Sequence, residues 1–397
     1  MDSLLDRHLL SLARQYLDVF PTLIIEGARQ VGKSTFASML VADRSAMVVS
    51  LDDLQNRRQA ADDPVGFVGQ LPNGTLVIDE IQRVPELILP IKAAIDANRR
   101  PGRFVLTGSS DLLRLQRTPD SLAGRAVTLR LRGFSQGELR GVREDFIGWL
   151  TGAMADEPAK GIPLPADGVS PRFPWSATSS MTRENCVSML SAGGYPAMAL
   201  GEKGVRNAWL TSYIQQVVQQ DTADVRRVTE PLRLTKLLRL LAANQAGELI
   251  KARLANEADI PASTITDYLN VLTTLFLVDS IPPWTPNLTG REIDRPKAVV
   301  VDPAMALSLA RVKPASLIPV SGEYLGHLLE GFVAEELAKQ RSWSSVDYDI
   351  YHYRSAGGTE VDLVLELEDG LLLGIEVKTT QSVLSAHVKN LRRLRSQ

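Results

Sequence analysis

The sequence is poor in side chains that form disulfides or zinc sites, with a single cysteine, Cys186, and four histidines among 397 residues. One cysteine excludes an intrachain disulfide framework and a cysteine-rich zinc module, and this usage is typical of a reducing compartment. An excess of charge of one sign is also lacking, because the formal net charge is -2. Any nucleic-acid binding must therefore come from local basic patches. No uninterrupted apolar stretch approaches the roughly 18 residues of a membrane span, so we expect a cytoplasmic protein without a membrane partner.

The sequence does contain a series of short apolar runs, at residues 22–26, 46–51, 74–79 and 103–108, separated by helix-like stretches. This alternation is typical of a parallel sheet that is covered by helices on both faces. Residues 151–180 are dense in Pro, Gly, Ala and Ser, which predicts a loop or a flexible insertion. Helix-like patterns follow, and strand patterns return near the C-terminus. We therefore predict an α/β fold with two or three domains.

The first apolar run leads into residues 27–34, which satisfy the pattern G-x-x-x-x-G-K-[ST]. In such a loop, successive backbone N–H groups at a helix N-terminus wrap phosphates. Lys33 is placed to reach the β- and γ-phosphates of ATP, and the Ser34 hydroxyl is placed to bind Mg²⁺. A chance glycine turn is the alternative, and the strand-to-helix context argues against it. The predicted nucleotide-binding residues are Gly27, Ala28, Arg29, Gln30, Val31, Gly32, Lys33, Ser34 and Thr35.

A second motif, Leu-Val-Ile-Asp-Glu at residues 76–80, is an apolar strand that ends in two acids. Asp79 would hold Mg²⁺ directly or through water, and Glu80 would be the catalytic residue that polarises the attacking water. Asp-Glu after a strand is also common as a helix N-cap with a first-turn charge. The upstream glycine-rich loop favours the catalytic interpretation.

With these two motifs the chain resembles the AAA+ ATPases, and more closely the bacterial and archaeal group that pairs such a module with a C-terminal DUF4143 domain. The resemblance rests on residues 26–34, 79–87, 106–110 and 122–126. It implies that Ser109 or Ser110 lies at a sensor-1-like position, where a polar group orients water against the γ-phosphate. Either serine could instead cap a helix.

Two arginines near these motifs have open roles. Arg125 lies in a glycine-bordered loop and is a candidate arginine finger, acting in cis or in trans, or else a solvated surface residue. Arg29 contacts phosphate, faces solvent or braces the neighbouring lobe. Neither arginine is a firm catalytic assignment.

Residues 254–258, a proline-containing turn and residues 263–272 resemble a winged-helix DNA-binding module. The second helix has one apolar face but carries no Lys or Arg, and its Asp267 would repel phosphate. Packing or partner contact is therefore favoured over sequence-specific reading of DNA. An upstream basic group forms either a face for the nucleic-acid backbone or a solvated helix face. It consists of Arg226, Arg227, Arg233, Lys236 and Arg239.

Residues 358–365 and 372–378 resemble the core of the PD-(D/E)xK nuclease superfamily. Glu376 and Lys378 alternate with apolar neighbours along a predicted strand, so both point to one face. The resemblance implies that Asp362 and Glu376 converge on a divalent cation, with Lys378 beside the attacked phosphate. It also implies that Glu330 is the helical acid of the metal site. The alternatives are an amphipathic hairpin with a solvated charged face and, because related cores continue into a further strand, a core that is incomplete at its C-terminus.

Together these motifs predict four parts: an AAA+ P-loop ATPase core at residues 1–150, a flexible insertion and helical lid at 151–230, a winged-helix-like domain at 231–285 and a nuclease-like α/β domain at 286–397. The predicted function is Mg²⁺-dependent ATP hydrolysis coupled to action on DNA or another nucleic acid. The alternative is a nucleotide-dependent switch or interaction protein, of the defence or toxin–antitoxin type, with an inactive nuclease-like platform. Both functions allow a homo-oligomer or a protein partner, and the fold alone does not choose between them.

Overall fold

The computed structural model describes residues 4–108, 122–152, 181–202, 204–218, 230–293, 295–319, 324–355, 357–380 and 384–395. Ser109, Ser110, Arg226, Arg227 and most of the predicted insertion at 151–180 lie outside the described residues. Across the described ranges, no helix is both long and apolar enough to cross a membrane.

The helices and strands alternate through the first part of the chain and are interspersed in the later parts. The helices are α1 Leu10–Val19, α2 Lys33–Leu40, α3 Leu54–Asp62, α4 Pro64–Gly69, α5 Ile88–Ala97, α6 Gln136–Arg140, α7 Phe146–Leu150, α8 Arg183–Ala192, α9 Pro196–Ala199, α10 Arg206–Gln216, α11 Pro231–Ala243, α12 Lys251–Glu257, α13 Ile265–Thr274, α14 Leu288–Ile293, α15 Pro303–Ala310, α16 Tyr324–Gln340 and α17 Lys389–Arg395. The strands are β1 Thr22–Glu26, β2 Ala46–Ser50, β3 Thr75–Asp79, β4 Phe104–Gly108, β5 Ala126–Arg130, β6 Gly247–Glu248, β7 Val278–Ile281, β8 Lys297–Val300, β9 Tyr348–Arg354, β10 Glu360–Leu367 and β11 Leu372–Ile375.

Strands β1 to β5 form a parallel sheet in the order β2-β3-β4-β1-β5. Ile24 of β1 lies opposite Leu106 of β4 on one side and Thr128 of β5 on the other. All residues of β1, β3 and β4 are buried, and strands buried on both faces have continuous apolar sequences rather than alternating ones. The predicted α/β fold with a parallel sheet is confirmed.

Successive side chains of the central strands enter two different cores. Leu23 and Ile25 of β1 pack with α1 and α2 on one face of the sheet, whereas Ile24 packs with α3, α4 and α5 on the other. Because the strands are parallel, the carboxyl ends of β1, β3 and β4 lie at the same edge. Ligands of open α/β sheets bind at that edge.

The middle part of the chain contains α11, β6, α12, α13, β7, α14 and β8 in that order. Its strands form an antiparallel sheet in the order β6-β8-β7, with Val278 opposite Val300. The predicted apolar face of α13 is buried, including Ile265, Leu269 and Leu272. The sequence-based boundary between residues 285 and 286 falls between β7 and β8, although these two strands are hydrogen-bonded neighbours.

The C-terminal part consists of the long helix α16, an antiparallel sheet in the order β11-β10-β9 and the helix α17. Ile147 of α7 packs into the core of this sheet with Leu363 and Leu365. The residues just before position 151 therefore contribute to the C-terminal core, although they follow the parallel sheet in the chain.

Strand β11 is shorter than the sequence pattern suggests. It ends at Ile375, three residues before Lys378, where the apolar alternation ends. The reason is local, because the backbone N–H of Val377 donates to the Asp362 carboxylate at 2.8 Å and not to a strand neighbour.

Candidate active site

The loop between β1 and α2 requires glycine at two positions. Gly27 has a φ of +152°, and a Cβ atom built on it would lie 2.2 Å from the backbone oxygen of Leu131. Gly32, the residue before α2, has a φ of +99° in the left-handed region. The two glycines turn the chain tightly into α2, so that the N–H groups of the first helical turn face the loop. A helix N-terminus in this position favours an anionic ligand.

Lys33 is only 5% exposed, and its ammonium group lies against the loop backbone. Its Nζ atom donates to the backbone oxygens of Gly27 and Ala28, both at 3.0 Å. A buried ammonium group is costly unless it is hydrogen-bonded, and these carbonyls supply the partners. Among the other predicted nucleotide-binding residues, Val31 is buried, whereas Gln30 and Thr35 are exposed.

Three polar side chains from neighbouring elements converge at the carboxyl edge of the sheet. The Ser34 hydroxyl donates to the Asp79 carboxylate, with oxygen–oxygen distances of 2.8 and 3.0 Å. The Thr107 hydroxyl donates to the same carboxylate and accepts the backbone N–H of Glu80 at 3.2 Å. The strand order β3-β4-β1 brings these groups together, because all three strands run in the same direction.

Thr107 was missed by sequence reasoning, which placed the polar residue after β4 at Ser109 or Ser110. The signal that could have found it is a polar, β-branched residue near the end of an otherwise apolar buried strand. A buried hydroxyl requires a hydrogen-bond partner, and the acids at the end of the adjacent strand can supply it.

Glu80 has a left-handed backbone conformation, with φ of 58° and ψ of 46°. This conformation is uncommon for residues other than glycine, costs on the order of 1–3 kcal/mol and often marks a functional site. The Glu80 carboxylate accepts a hydrogen bond from the Gln82 side-chain amide. The strained turn therefore holds a half-buried carboxylate directly after Asp79.

Arg125 lies at the opposite edge of the sheet from the glycine-rich loop. Its backbone oxygen accepts the N–H of Thr22, the first residue of β1, whereas the loop follows Glu26 at the other end of that strand. Four residue steps of strand span about 13 Å. The guanidinium group instead binds the Asp96 carboxylate through two bonds of 2.7 and 3.1 Å. Arg125 therefore does not reach the glycine-rich loop of its own chain. A role as an arginine finger in a neighbouring copy stays a prediction.

The helices α9 and α10 contact the glycine-rich loop. The Tyr213 hydroxyl of α10 donates to the backbone oxygen of Arg29 at 3.1 Å. A Cβ atom on Gly32 would lie 3.9 Å from the ring of Pro196. A small pocket lies between the loop, the end of β5 and the middle part, and its lining includes Ala28 and Tyr195.

A buried charge network joins the end of the parallel sheet to the middle and C-terminal parts. Asp279 of β7 pairs with Arg130 at 2.7 Å and with Arg132, and Arg132 pairs with Glu335 of α16 at 2.8 Å. Although burial opposes it, the two guanidinium groups hold the pKa of Asp279 well below its usual range. Burial raises the pKa of Glu335 to about 7, even though Arg132 opposes this shift. The network ties all three parts of the chain together within one desolvated region.

The predicted nuclease-like residues lie close together but are paired with lysines. Lys378 Nζ lies 2.6 Å from Glu376 and 3.3 Å from Asp362. Glu330 pairs at 2.6 Å with Lys297 of β8, which sequence reasoning missed and which is itself buried. Within the part of the chain that the structure describes, no group of three His, Cys, Asp or Glu side chains is arranged to hold a metal ion.

The carboxylates in this cluster still repel one another. Burial raises the pKa of Glu330 to about 7, and the nearby Asp362 carboxylate acts in the same direction, whereas Lys297 opposes it. Burial and Asp362 also raise the pKa of Glu376, whereas Lys378 lowers it. The lysines therefore compensate the acids only partly, because four carboxylates including Glu360 share two ammonium groups.

The predicted basic group of the middle part is also largely paired. Arg233 lies 2.9 Å from Glu230, and Lys236 pairs with Asp259, whereas Arg239 is exposed. On α13, Thr266 is exposed and Asp267 is half-buried. Among the described residues, this face offers little unpaired positive charge to a nucleic-acid backbone.

Three protein-family models match successive segments of the chain. The AAA domain model matches residues 19–140, a domain of unknown function named DUF8612 matches residues 183–316, and the domain of unknown function DUF4143 matches residues 325–397. Two uncharacterized proteins, from Mycobacterium tuberculosis and Mycobacterium bovis, are each 25% identical over 93% of this chain and 73% of their own length.

Solved structures with detectable similarity include a Walker-type ATPase of Pyrococcus abyssi. It is 16% identical, covers 77% of this chain and 96% of its own, and has a TM-score of 0.46. A RuvB protein of Thermotoga maritima is 20% identical, covers 74% of this chain and 88% of its own, and has a TM-score of 0.29.

Proposed function

We propose that this chain, an AAA-type P-loop ATPase with a C-terminal DUF4143 domain, hydrolyses ATP at the site formed by residues 27–34, Asp79 and Glu80. One observation carries the assignment: Lys33, Ser34, Asp79 and Thr107 converge at the carboxyl edge of the sheet, beside a helix N-terminus. The arrangement supplies positive charge, backbone donors and carboxylate oxygens within a single loop region.

The residues present fit a Mg²⁺ ion. The Ser34 hydroxyl and the Asp79 carboxylate can both bind a metal ion through oxygen, which is the ligand atom that Mg²⁺ prefers. Their oxygen atoms already lie within 3.0 Å of each other. Bound Mg²⁺ would neutralise charge on the phosphate oxygens. Thr107 holds the Asp79 carboxylate in place through its hydroxyl group, so that the ligand position does not depend on the ion.

Glu80 is the residue that we assign to the attacking water. In hydrolysis the water oxygen bonds to the γ-phosphorus, the bond from that phosphorus to the bridging oxygen breaks, and a water proton is released. Glu80 orients this water and accepts its proton, and the products are ADP and inorganic phosphate. The bond from Glu80 N–H to Thr107 fixes the backbone from which the carboxylate projects.

A second candidate function, a nucleotide-dependent switch with an inactive C-terminal platform, is favoured by the lysine pairing in that domain. Lys297 forms an ion pair with Glu330, and Lys378 forms ion pairs with both Asp362 and Glu376. Each predicted metal ligand of the C-terminal domain therefore already has a cation partner. The order of α11, β6, α12, α13, β7 and β8, with the short helix α14 between the last two strands, supports a winged helix in the middle part. In this function the winged helix contacts a partner or packs internally.

The experiment compares ATP turnover by the wild type, Lys33→Ala and Lys251→Ala, with Mg²⁺ or with excess EDTA. Lys251 is an exposed lysine on α12 and serves as the matched control. We expect turnover by the wild type and Lys251→Ala that EDTA abolishes, and a loss of at least about 100-fold in Lys33→Ala. Equal turnover in all three proteins would refute the ATPase assignment. Addition of DNA tests the predicted action on nucleic acid, because intact DNA and unchanged turnover support the switch, whereas cleavage with Mg²⁺ or Mn²⁺ supports a nuclease and contradicts the inactive platform.

A further inference from the structure

Two buried tyrosines connect the helix α10 to the backbone of the glycine-rich loop. The Tyr213 hydroxyl donates to the backbone oxygen of Arg29 at 3.1 Å, and the hydroxyl groups of Tyr213 and Tyr195 lie 3.3 Å apart. Both tyrosines are 2% exposed. A hydroxyl has one hydrogen and a carbonyl only accepts, so Tyr195 supplies the hydrogen of the second bond. The result is a relay from Tyr195 through Tyr213 to the loop.

This relay fixes the orientation of one peptide plane in the loop. In a trans peptide the C=O and the following N–H point in opposite directions. Because Tyr213 holds the Arg29 carbonyl toward α10, the N–H of Gln30 is turned to the other side of the loop. Gln30 has a φ of +60°, an uncommon conformation for a side-chain-bearing residue, and such a conformation persists only where surrounding contacts hold it.

The relay is set in a rigid aromatic cluster. The Trp209 ring stacks on the Tyr213 ring, with centroids 5.0 Å apart and planes 11° apart, and Tyr195 packs against both rings. The segment that carries Tyr195 is anchored in turn, because the backbone N–H of Gly194 donates to the buried Asp302 carboxylate at 2.7 Å. A movement of the loop at Arg29 must therefore be transmitted to α10, or it must break the bond.

We propose that Tyr213, supported by Tyr195, is a positioning residue that presets the glycine-rich loop for nucleotide and links the occupancy of the loop to α10. The proposal rests on the proposed function, and it assigns a role that the loop motif itself does not contain. Tyr213 acts through the backbone and touches no reacting atom. Its removal should therefore weaken nucleotide binding more than it slows the chemical step.

The test compares Tyr213→Phe with Tyr324→Phe, a matched control. Tyr324→Phe also removes a tyrosine hydroxyl that donates to a backbone oxygen. That oxygen belongs to Ala242, at 2.6 Å, and it lies outside the glycine-rich loop. We expect Tyr213→Phe to raise the Kd for a fluorescent ATP analogue and the KM for ATP about 3- to 10-fold, as for the loss of one hydrogen bond. The kcat should stay within about 2-fold, and Tyr324→Phe should bind as the wild type does.

Trp209 supplies a readout that does not depend on turnover. ATP should change the tryptophan emission of the wild type, and this change should disappear in Trp209→Phe and shrink in Tyr213→Phe. An unchanged Kd in Tyr213→Phe, or equal weakening in both tyrosine variants, would overturn the proposal while leaving the ATPase assignment intact. Absence of ATP binding by the wild-type protein would overturn both.

Discussion

Replacement of Thr107 by Val tests whether the hydroxyl at the end of β4 organises the two acids. The substitution keeps the volume and the β-branched shape, and it removes one hydroxyl. That hydroxyl donates to the Asp79 carboxylate and accepts the backbone N–H of Glu80 at 3.2 Å. Thr75→Val is a matched control, because its buried hydroxyl donates to the backbone oxygen of Gly102 at 2.7 Å near the opposite edge of the same sheet.

The expected magnitudes follow from the bonds that are lost. A hydrogen bond to a charged group contributes about 1.5–3 kcal/mol and an unsatisfied buried N–H costs about 1–3 kcal/mol, but Asp79 keeps its bond from Ser34. We therefore expect Thr107→Val to lose about 2–4 kcal/mol of stability and Thr75→Val about 1–2 kcal/mol. Because Asp79 and Glu80 both lose their support, the kcat of Thr107→Val should fall about 10- to 100-fold, whereas that of Thr75→Val should not change.

The assay measures steady-state ATP turnover at saturating Mg²⁺ and ATP, together with the melting temperature of each variant. Turnover is measured at least about 15 °C below the lowest melting transition, so that unfolding does not contribute. A reduced kcat in Thr107→Val alone supports the assignment. If both variants melt earlier but hydrolyse ATP at the wild-type rate, Thr107 has only a packing role and the reasoning about the site is refuted.

Two further predictions concern stability. Asp279→Asn removes one charge from a buried network between Arg130 and Arg132, so the unfolding free energy from urea denaturation should fall by about 3–5 kcal/mol, whereas Asp96→Asn at the exposed Arg125 pair should change it little. Similar urea midpoints for both variants would show that the network does not hold the parts together. Burial, with Glu336 and Glu138 nearby, raises the pKa of Glu144 to about 7 from its ordinary value of 4.5. The folded protein therefore keeps this proton longer than the unfolded chain does, and the associated stability is lost as pH rises from about 4.5 through 7. Glu144→Gln should melt higher than the wild type at pH 8 and similarly at pH 4, and an equal difference at both pH values would contradict this assignment.

The glycine-rich loop and the acids after β3 were predictable because their chemistry lies within a few consecutive residues. Gly27 and Gly32 reveal the loop by their spacing, and the buried apolar run before Asp79 reveals the strand that carries it. The parallel sheet was predictable for the same reason, since each buried strand is a continuous apolar run. Local patterns of this kind can be recognised in the sequence without knowing any contact between distant segments.

The residues that sequence reasoning missed or misplaced depend on contacts between distant segments. Lys297 of β8 contacts Glu330 of α16, and Tyr213 contacts Arg29, which is 184 positions away in the chain. Arg125 differs from these residues, because its position in the sheet could have been predicted from the sequence. It precedes β5, so a parallel strand places it at the edge opposite the loop, whereas Arg130 ends the same strand at the loop edge.

The most direct test of the central claim separates ATP binding from ATP hydrolysis with Glu80→Gln. This substitution removes the carboxylate that we assign to the attacking water, and it leaves Lys33, Ser34 and Asp79 in place. Equilibrium binding of ATP with Mg²⁺ and single-turnover hydrolysis are measured on the same preparations of both proteins. We predict a Kd within about 3-fold of the wild type and a hydrolysis rate that falls at least about 100-fold. Hydrolysis by Glu80→Gln at the wild-type rate would contradict the account.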